Sequence, residues 1–116
     1  MVVKKWHIYR ANLDPVVGSE QGKSRPVLVL SEDFLNDVLN CVNIIPLTSL
    51  KPGRIIYPNE VLLGSEEAGT PNESVLLCHQ IRTLDKRRLS LEYGEITSDE
   101  QKSKVINAIC FQLGIK

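Results

Sequence analysis

Gly18-Ser19-Glu20-Gln21-Gly22-Lys23-Ser24-Arg25-Pro26-Val27-Leu28-Val29-Leu30-Ser31 passes from a polar loop into a buried strand. Gly18 and Gly22 leave the backbone free to turn. Val27 to Leu30 is a short, continuous apolar run rich in β-branched residues, as expected of a core strand. Arg25 stands at the junction, with Glu20, Gln21, Lys23, Ser19 and Ser24 on the loop before it. A rigid strand that carries a polar loop at its mouth is how scaffolds present functional groups. The same composition also suits an ordinary solvated loop.

Outward from this stretch the chain reads as short strands with two helices. Ile8 to Leu13 is a first strand, with Trp6 and Ile8 on one face and Tyr9 and Ala11 on the other; Asp14-Pro15 ends it. Ser31-Glu32-Asp33 starts a helix near 32–39, with Ser31 as cap and Phe34, Leu35, Val38 and Leu39 as its apolar face. Cys41 to Thr48 is a third strand, in which Pro46 implies an edge or a bulge. Lys51-Pro52-Gly53 is a turn. Arg54–Tyr57 and Glu60–Leu63 are short strands, and 64–72 is a loop. Ser74–Cys78 is another core strand, 79–85 a turn or short helix, and Leu91–Ile96 the last strand. Ser98 with Gln101, or Thr97 with Glu100, opens a final helix. Val105, Ile106, Ile109, Cys110 and Leu113 form its stripe, and Gly114 suits its end. These elements predict an α+β fold: one domain, residues 1–116, built as a small, mostly antiparallel barrel.

Composition narrows the function classes. No apolar stretch approaches the roughly 18 residues of a membrane span, and Met1 to His7 lacks the apolar core of a signal peptide, so a cytoplasmic protein without membrane contact is expected. Cys41, Cys78 and Cys110 are odd in number and far apart, which argues against disulfides and zinc and for small buried hydrophobes. Lys+Arg and Asp+Glu balance at 14 each, yet the charge is uneven. Residues 81–90 hold four cations and one acid, and residues 59–80 hold four acids and no cation. A neutral chain can thus present one basic face to a short nucleic acid, but not coat DNA broadly.

Several chemistries have no signature. His7 and His79 lack ligand spacing. There is no Walker or Rossmann glycine pattern and no Gly-x-Ser-x-Gly elbow. What remains is a polar set at strand ends: Glu20 and Arg25, Thr48 and Ser49, and His79, Gln80 and Arg82. Such a set could cleave RNA without a metal or other cofactor. RNA supplies its own nucleophile, the 2′-hydroxyl; the protein must take that proton, donate toward the leaving 5′-oxygen and neutralise the phosphate. A guanidinium is the natural clamp. The structural alternatives are a salt bridge from Arg25 to Glu20 or Asp14, a plain strand-closing Thr48, and a His79 hydrogen-bonded to backbone.

Residues 12–29, from Asn12-Leu13-Asp14-Pro15 through Arg25-Pro26-Val27, resemble the opening of the MazF/PemK (Kid) toxin family. So do Pro46-Leu47-Thr48-Ser49, Ser74-Val75-Leu76-Leu77, Gln80-Ile81-Arg82-Thr83-Leu84-Asp85-Lys86-Arg87-Arg88-Leu89 and the closing Leu113-Gly114. The resemblance covers essentially the whole chain in order. It implies an SH3-like barrel of the CcdB/PemK type and a homodimer. It further implies metal-independent, sequence-selective cleavage of single-stranded RNA, and neutralisation by a cognate antitoxin with an acidic, disordered tail. By resemblance, Arg25 is the principal catalytic residue, Thr48 supports the transition state, and Glu20 is a base or positioning group. Gln80 and Arg82 line the RNA groove, and Ser19, Gln21, Lys23, Ser49, Arg87 and Arg88 are further expected RNA contacts. The chain departs from the family twice. Lys5-Trp6-His7 replaces Arg-Gly-Asp, and His79 stands where the family carries Asp or Glu, which makes a histidine base an alternative to Glu20. A binding-only barrel of the gyrase-targeting CcdB type, or a catalytically silent member, is the other reading. A dimer is also expected because a single short barrel would leave Leu76, Ile81 and the last-helix stripe partly bare.

Overall fold

The computed structural model describes residues 1–116. Seven strands form one antiparallel sheet: β1 His7–Asn12, β2 Ser24–Val29, β3 Cys41–Ser49, β4 Glu60–Leu63, β5 Ser74–Leu77, β6 Arg82–Asp85 and β7 Leu89–Glu95. Three helices join them: α1 Asp33–Val38, α2 Ser65–Ala68 and α3 Asp99–Leu113. The strand order is β4-β5-β3-β2-β1-β7, and β6 also pairs with β3.

The sheet curls because its middle strands are buried on both faces. Alternate side chains of a strand point to opposite faces. Ile8, Leu28, Ile45 and Leu47 enter one core cluster, closed by Leu76, Ile96 and the α3 residues Val105 and Ala108. Tyr9, Ala11, Val27, Val29, Val42 and Ile44 enter the other, closed by Val3, Leu84 and Leu89. This double burial explains the unbroken apolar run at Val27–Leu30. Each such side chain contributes roughly 1.5–3 kcal/mol on leaving water.

The barrel expectation agrees with this sheet, but several local expectations do not. Pro46 lies on neither an edge nor a bulge. β3 is central, and Pro46 pairs with Val27 on one side. On its other side β3 pairs with β6 over Cys41–Ile44 and with β5 over Leu47–Ser49, and the proline falls in the gap between them. Proline, which cannot donate to a ladder, is tolerated where one side of its strand is locally unpaired.

Residues 54–57 form no strand, because Arg54 turns back to clasp Glu60 in a bidentate pair at 2.9 and 2.7 Å. The 64–72 loop contains α2, and 79–85 divides into a 3-10 turn at Cys78–Gln80 and then β6. Ser31 is not the α1 cap; Glu32 holds that position. The expected apolar face of α1 is also in water, with Phe34 74% exposed. Asn36 is the buried residue instead, and its amide donates to Ser31 O at 2.8 Å. A helix of under two turns is held here by polar bonds. Helix α3 begins as expected, with Ser98 Oγ accepting from Gln101 N, and ends at a left-handed Gly114. Its buried side is Val105 and Ala108, with Ile106 and Leu113 exposed. Leu76 is fully buried within the single chain and Ile81 half-buried. Of the cysteines only Cys78 is fully buried; Cys41 is exposed.

Trp6 adopts φ +71°, a left-handed conformation that glycine occupies without strain. This is the position where the family pattern has its glycine. Trp6 N donates to Val29 O at 2.8 Å, Trp6 O accepts from Ile96 N at 2.9 Å, and the indole lies beneath the ammonium groups of Lys5 and Lys102.

Candidate active site

Arg25 and Thr48 come together through strand register. β2 and β3 pair Val27 with Pro46, and continuing that register sets Arg25 opposite Thr48. The guanidinium is held by carbonyl oxygens alone: Nε donates to Gly22 O at 2.9 Å, and a terminal nitrogen reaches Leu47 O at 3.5 Å. No carboxylate pairs with it, so the salt bridge to Glu20 or Asp14 is not formed. Glu20 Oε1 instead accepts from Val17 N at 2.7 Å, and Asp14 Oδ1 accepts from Lys23 N at 2.8 Å.

Arg25, Thr48 and Ser49 line an open cleft of about 580 Å³. Thr70 and Asn72 of the turn after α2, Ser74 at the start of β5, Lys51 and Tyr93 also line it. The cleft carries two cations and no acid. It therefore suits a phosphate, whose charge nothing in the cleft opposes.

Of the remaining expected residues, Ser19, Glu20, His79, Gln80 and Arg82 gather in a second depression, whereas Gln21, Lys23, Arg87 and Arg88 line neither. Gln80 ties this depression to the loop. Its Oε1 accepts from Gln21 N at 3.1 Å and its Nε2 donates to Ser19 O at 3.2 Å. The two depressions border opposite ends of the 19–25 segment. Arg25 and Thr48 are thus grouped apart from both candidate bases. His79 is exposed on the turn after β5, and none of the chain's hydrogen bonds engages its imidazole.

The basic run is largely occupied. Arg82 donates to Leu13 O at 3.3 Å, and Arg88 to Asn12 O and Asp14 O at 3.1 and 2.6 Å, so both brace the end of β1. Arg87 pairs with Asp85 at 3.0 Å and holds that carboxyl below its usual range. Lys23 is exposed in a left-handed conformation. Burial pushes the Cys78 thiol up to about 12, so it is no nucleophile at neutral pH.

Sequence reading missed Lys51, Tyr93 and the Thr70–Ser74 turn. Lys51 follows Thr48-Ser49 by two residues and so was within reach. Tyr93 reads as an ordinary strand aromatic. Its place in the cleft depends on the packing of α2 against β7.

This chain matches, over residues 4–113, the family described as PemK-like, MazF-like toxin of type II toxin-antitoxin system. It belongs to that family. Endoribonuclease EndoA of Bacillus subtilis (strain 168) is 36% identical over 115 residues, which span 99% of this chain and 97% of EndoA. The crystal structure of MazF (Form-I) from Deinococcus radiodurans superposes with a TM-score of 0.81 at 31% identity, covering 98% of each chain. A MazE-MazF crystal structure (Form-II) from the same organism gives 0.74 at 31% identity, covering 100% of this chain and 99% of that one. The barrel of this PemK-like, MazF-like toxin is thus the family's barrel. No helix is long and apolar enough to cross a membrane.

Proposed function

We propose that this chain is an endoribonuclease toxin that cuts single-stranded RNA by attack of the 2′-hydroxyl on the adjacent phosphate. The observation that carries this reading is Arg25, a cation without a carboxylate partner, opposite Thr48 in a cleft lined by no acid. The EndoA and MazF relatives support the same reading over a gyrase-directed barrel. Arg25 clamps the non-bridging phosphate oxygens, and the Thr48 hydroxyl donates to the charge that builds there. A base takes the 2′-hydroxyl proton, the O2′–P bond forms as the P–O5′ bond breaks, and the departing 5′-oxygen gains a proton. The products are a 2′,3′-cyclic phosphate and a 5′-hydroxyl. No step calls for a metal ion. Between the two candidate bases, His79 has a free imidazole, whereas Glu20 already closes a turn through Val17.

The toxin acts as a two-fold dimer and is neutralised by an antitoxin with an acidic tail. Apolar side chains left in water at Phe34, Ile55, Tyr57 and Phe111 support a covered surface, and Lys23 with Lys51 supports an acidic partner. Purified protein incubated in EDTA with mixed single-stranded RNA, alongside a gyrase supercoiling assay, tests the reading. RNA cut to cyclic-phosphate ends supports it; intact RNA with poisoned gyrase overturns it. Light scattering at twice the 13.0 kDa chain mass supports the dimer, and the single chain mass refutes it.

A further inference from the structure

The cleft beside Arg25, about 580 Å³, is larger than one phosphate needs, and an aromatic residue is among those that line it. The chain has one tryptophan, three tyrosines and two phenylalanines, so aromatic side chains are scarce. Tyr9 is fully buried, and Trp6 lies beneath two lysines. Tyr93 is the one aromatic that lines the cleft with Arg25 and Thr48. It is half-buried against the core, and its hydroxyl engages no protein group. That hydroxyl is not a buried orphan, so the polar end of the ring is open to solvent.

The fold goes to some length to place it there. Gly69, in a left-handed conformation, and Gly94 let α2 touch β7 backbone to backbone. A Cβ on Gly69 would run into the carbonyl of Tyr93, and a Cβ on Gly94 into the carbonyl of Glu67. That contact brings the Thr70–Asn72 turn beside Tyr93. Thr70 Oγ1 then donates to Asn72 O at 2.9 Å and fixes the turn. Lys51 lines the same cleft, is exposed and has no carboxylate partner. Its loop is braced by the Arg54–Glu60 pair. An aromatic face and an unpaired cation flanking a phosphate clamp are the elements with which proteins hold a single-stranded nucleotide.

We infer that Tyr93 is the stacking platform for a nucleobase next to the scissile phosphate, and that Lys51 holds the backbone phosphate of that nucleotide. The inference rests on the ribonuclease reading and adds a substrate-positioning pair to it. Stacking tolerates any base, because every base has a π-face.

The test uses a labelled mixed-sequence 2′-O-methyl RNA, which lacks the attacking hydroxyl, with binding read by fluorescence anisotropy. Tyr93→Leu keeps the apolar bulk and loses the aromatic face; it should weaken binding roughly five- to a hundredfold, while Tyr93→Phe stays within about twofold of wild type. Lys51→Gln should lower the slope of log affinity against log salt by about 0.7, the share of one phosphate on a single strand. Tyr93→Leu binding like wild type, or Tyr93→Phe binding as weakly as Tyr93→Leu, overturns the platform, and an unchanged slope in Lys51→Gln overturns the phosphate contact. Cleavage of unmodified RNA by the wild-type protein is measured beside these. A wild type that neither cuts nor binds overturns the ribonuclease reading itself, whereas a wild type that cuts, with Tyr93→Leu binding unchanged, overturns the platform alone.

Discussion

Arg25 donates through Nε to the carbonyl oxygen of Gly22 at 2.9 Å, so the loop that delivers the guanidinium also fixes its direction. Two terminal nitrogens are left to face the cleft, one of them at the limit of reach to Leu47 O. Lysine at 25 would keep the charge but lose both the Gly22 bond and the planar fork. Arg25→Ala is expected to lower kcat for RNA cleavage a hundredfold to a thousandfold, about 3–4 kcal/mol, and Arg25→Lys to recover only a small part. Steady-state kinetics on one RNA oligonucleotide, with circular dichroism to confirm folding, checks this.

The proton acceptor is legible in two single substitutions. With His79 as base, His79→Ala should lower kcat roughly a hundredfold or more while Glu20→Gln stays active. An active His79→Ala beside a dead Glu20→Gln assigns the proton to Glu20 instead. Single-turnover cleavage of one RNA oligonucleotide, with circular dichroism to confirm folding, checks this.

The Arg54–Glu60 pair ties loop 51–59 to β4 and sets part of the acid stability. Arg54 holds the Glu60 carboxyl below its usual range, chiefly by hydrogen bonding. The folded chain therefore binds this proton less readily than the unfolded one. The stabilisation is present above the unfolded carboxyl value, near pH 4.3, and is lost as pH falls through the lower folded value. Glu60 has only 6% of its side chain exposed, so removing its partner leaves a poorly solvated charge. Arg54→Ala should cost about 1.5–3 kcal/mol at pH 7. Glu60→Gln should melt lower at neutral pH and show a flatter decline between about pH 5 and 3 than the wild type. Thermal melts across that range check both.

The α2–β7 contact has no room for a methyl group. A Cβ on Gly94 would lie 3.0 Å from Ala68 C and from Gly69 N as well as against the Glu67 carbonyl. Gly94→Ala should destabilise the fold by about 1–3 kcal/mol and impair cleavage, because the wall carrying Thr70 and Tyr93 must shift. Gly64→Ala meets nothing within 4 Å and should stay within about 0.5 kcal/mol of wild type. Denaturant unfolding of the two variants provides the comparison.

Much of this molecule could be read from the chain. β4 begins and ends at Glu60 and Leu63 as read, and Ser98 and Gly114 bound α3, because caps and apolar runs act locally. The faces of β1 were also legible, since alternation along a strand is geometric. The apolar residues of α1 misled, because a local bond from the buried Asn36 to Ser31 O and a tertiary one from Lys86 to Asn36 O hold that helix, with its apolar side chains in water. Helix α2 is only four residues long and leaves no periodic signal. In the site, Arg25 and Thr48 stand out in the chain as polar residues at strand ends, the resemblance adds their roles, and both line one cleft. Lys51, Tyr93 and the Thr70–Ser74 turn meet only once two glycines let α2 lie on β7, a contact between residues with no sequence proximity.

The most direct test of the account is cleavage of a single-stranded RNA beside the same oligonucleotide carrying one 2′-deoxynucleotide at the mapped cleavage site, both in EDTA. The wild-type protein should cut the first to a 2′,3′-cyclic phosphate and a 5′-hydroxyl and leave the second intact, and Arg25→Ala should leave both intact. Equal cutting of the deoxy-substituted strand, or near-normal cutting by Arg25→Ala, would contradict it.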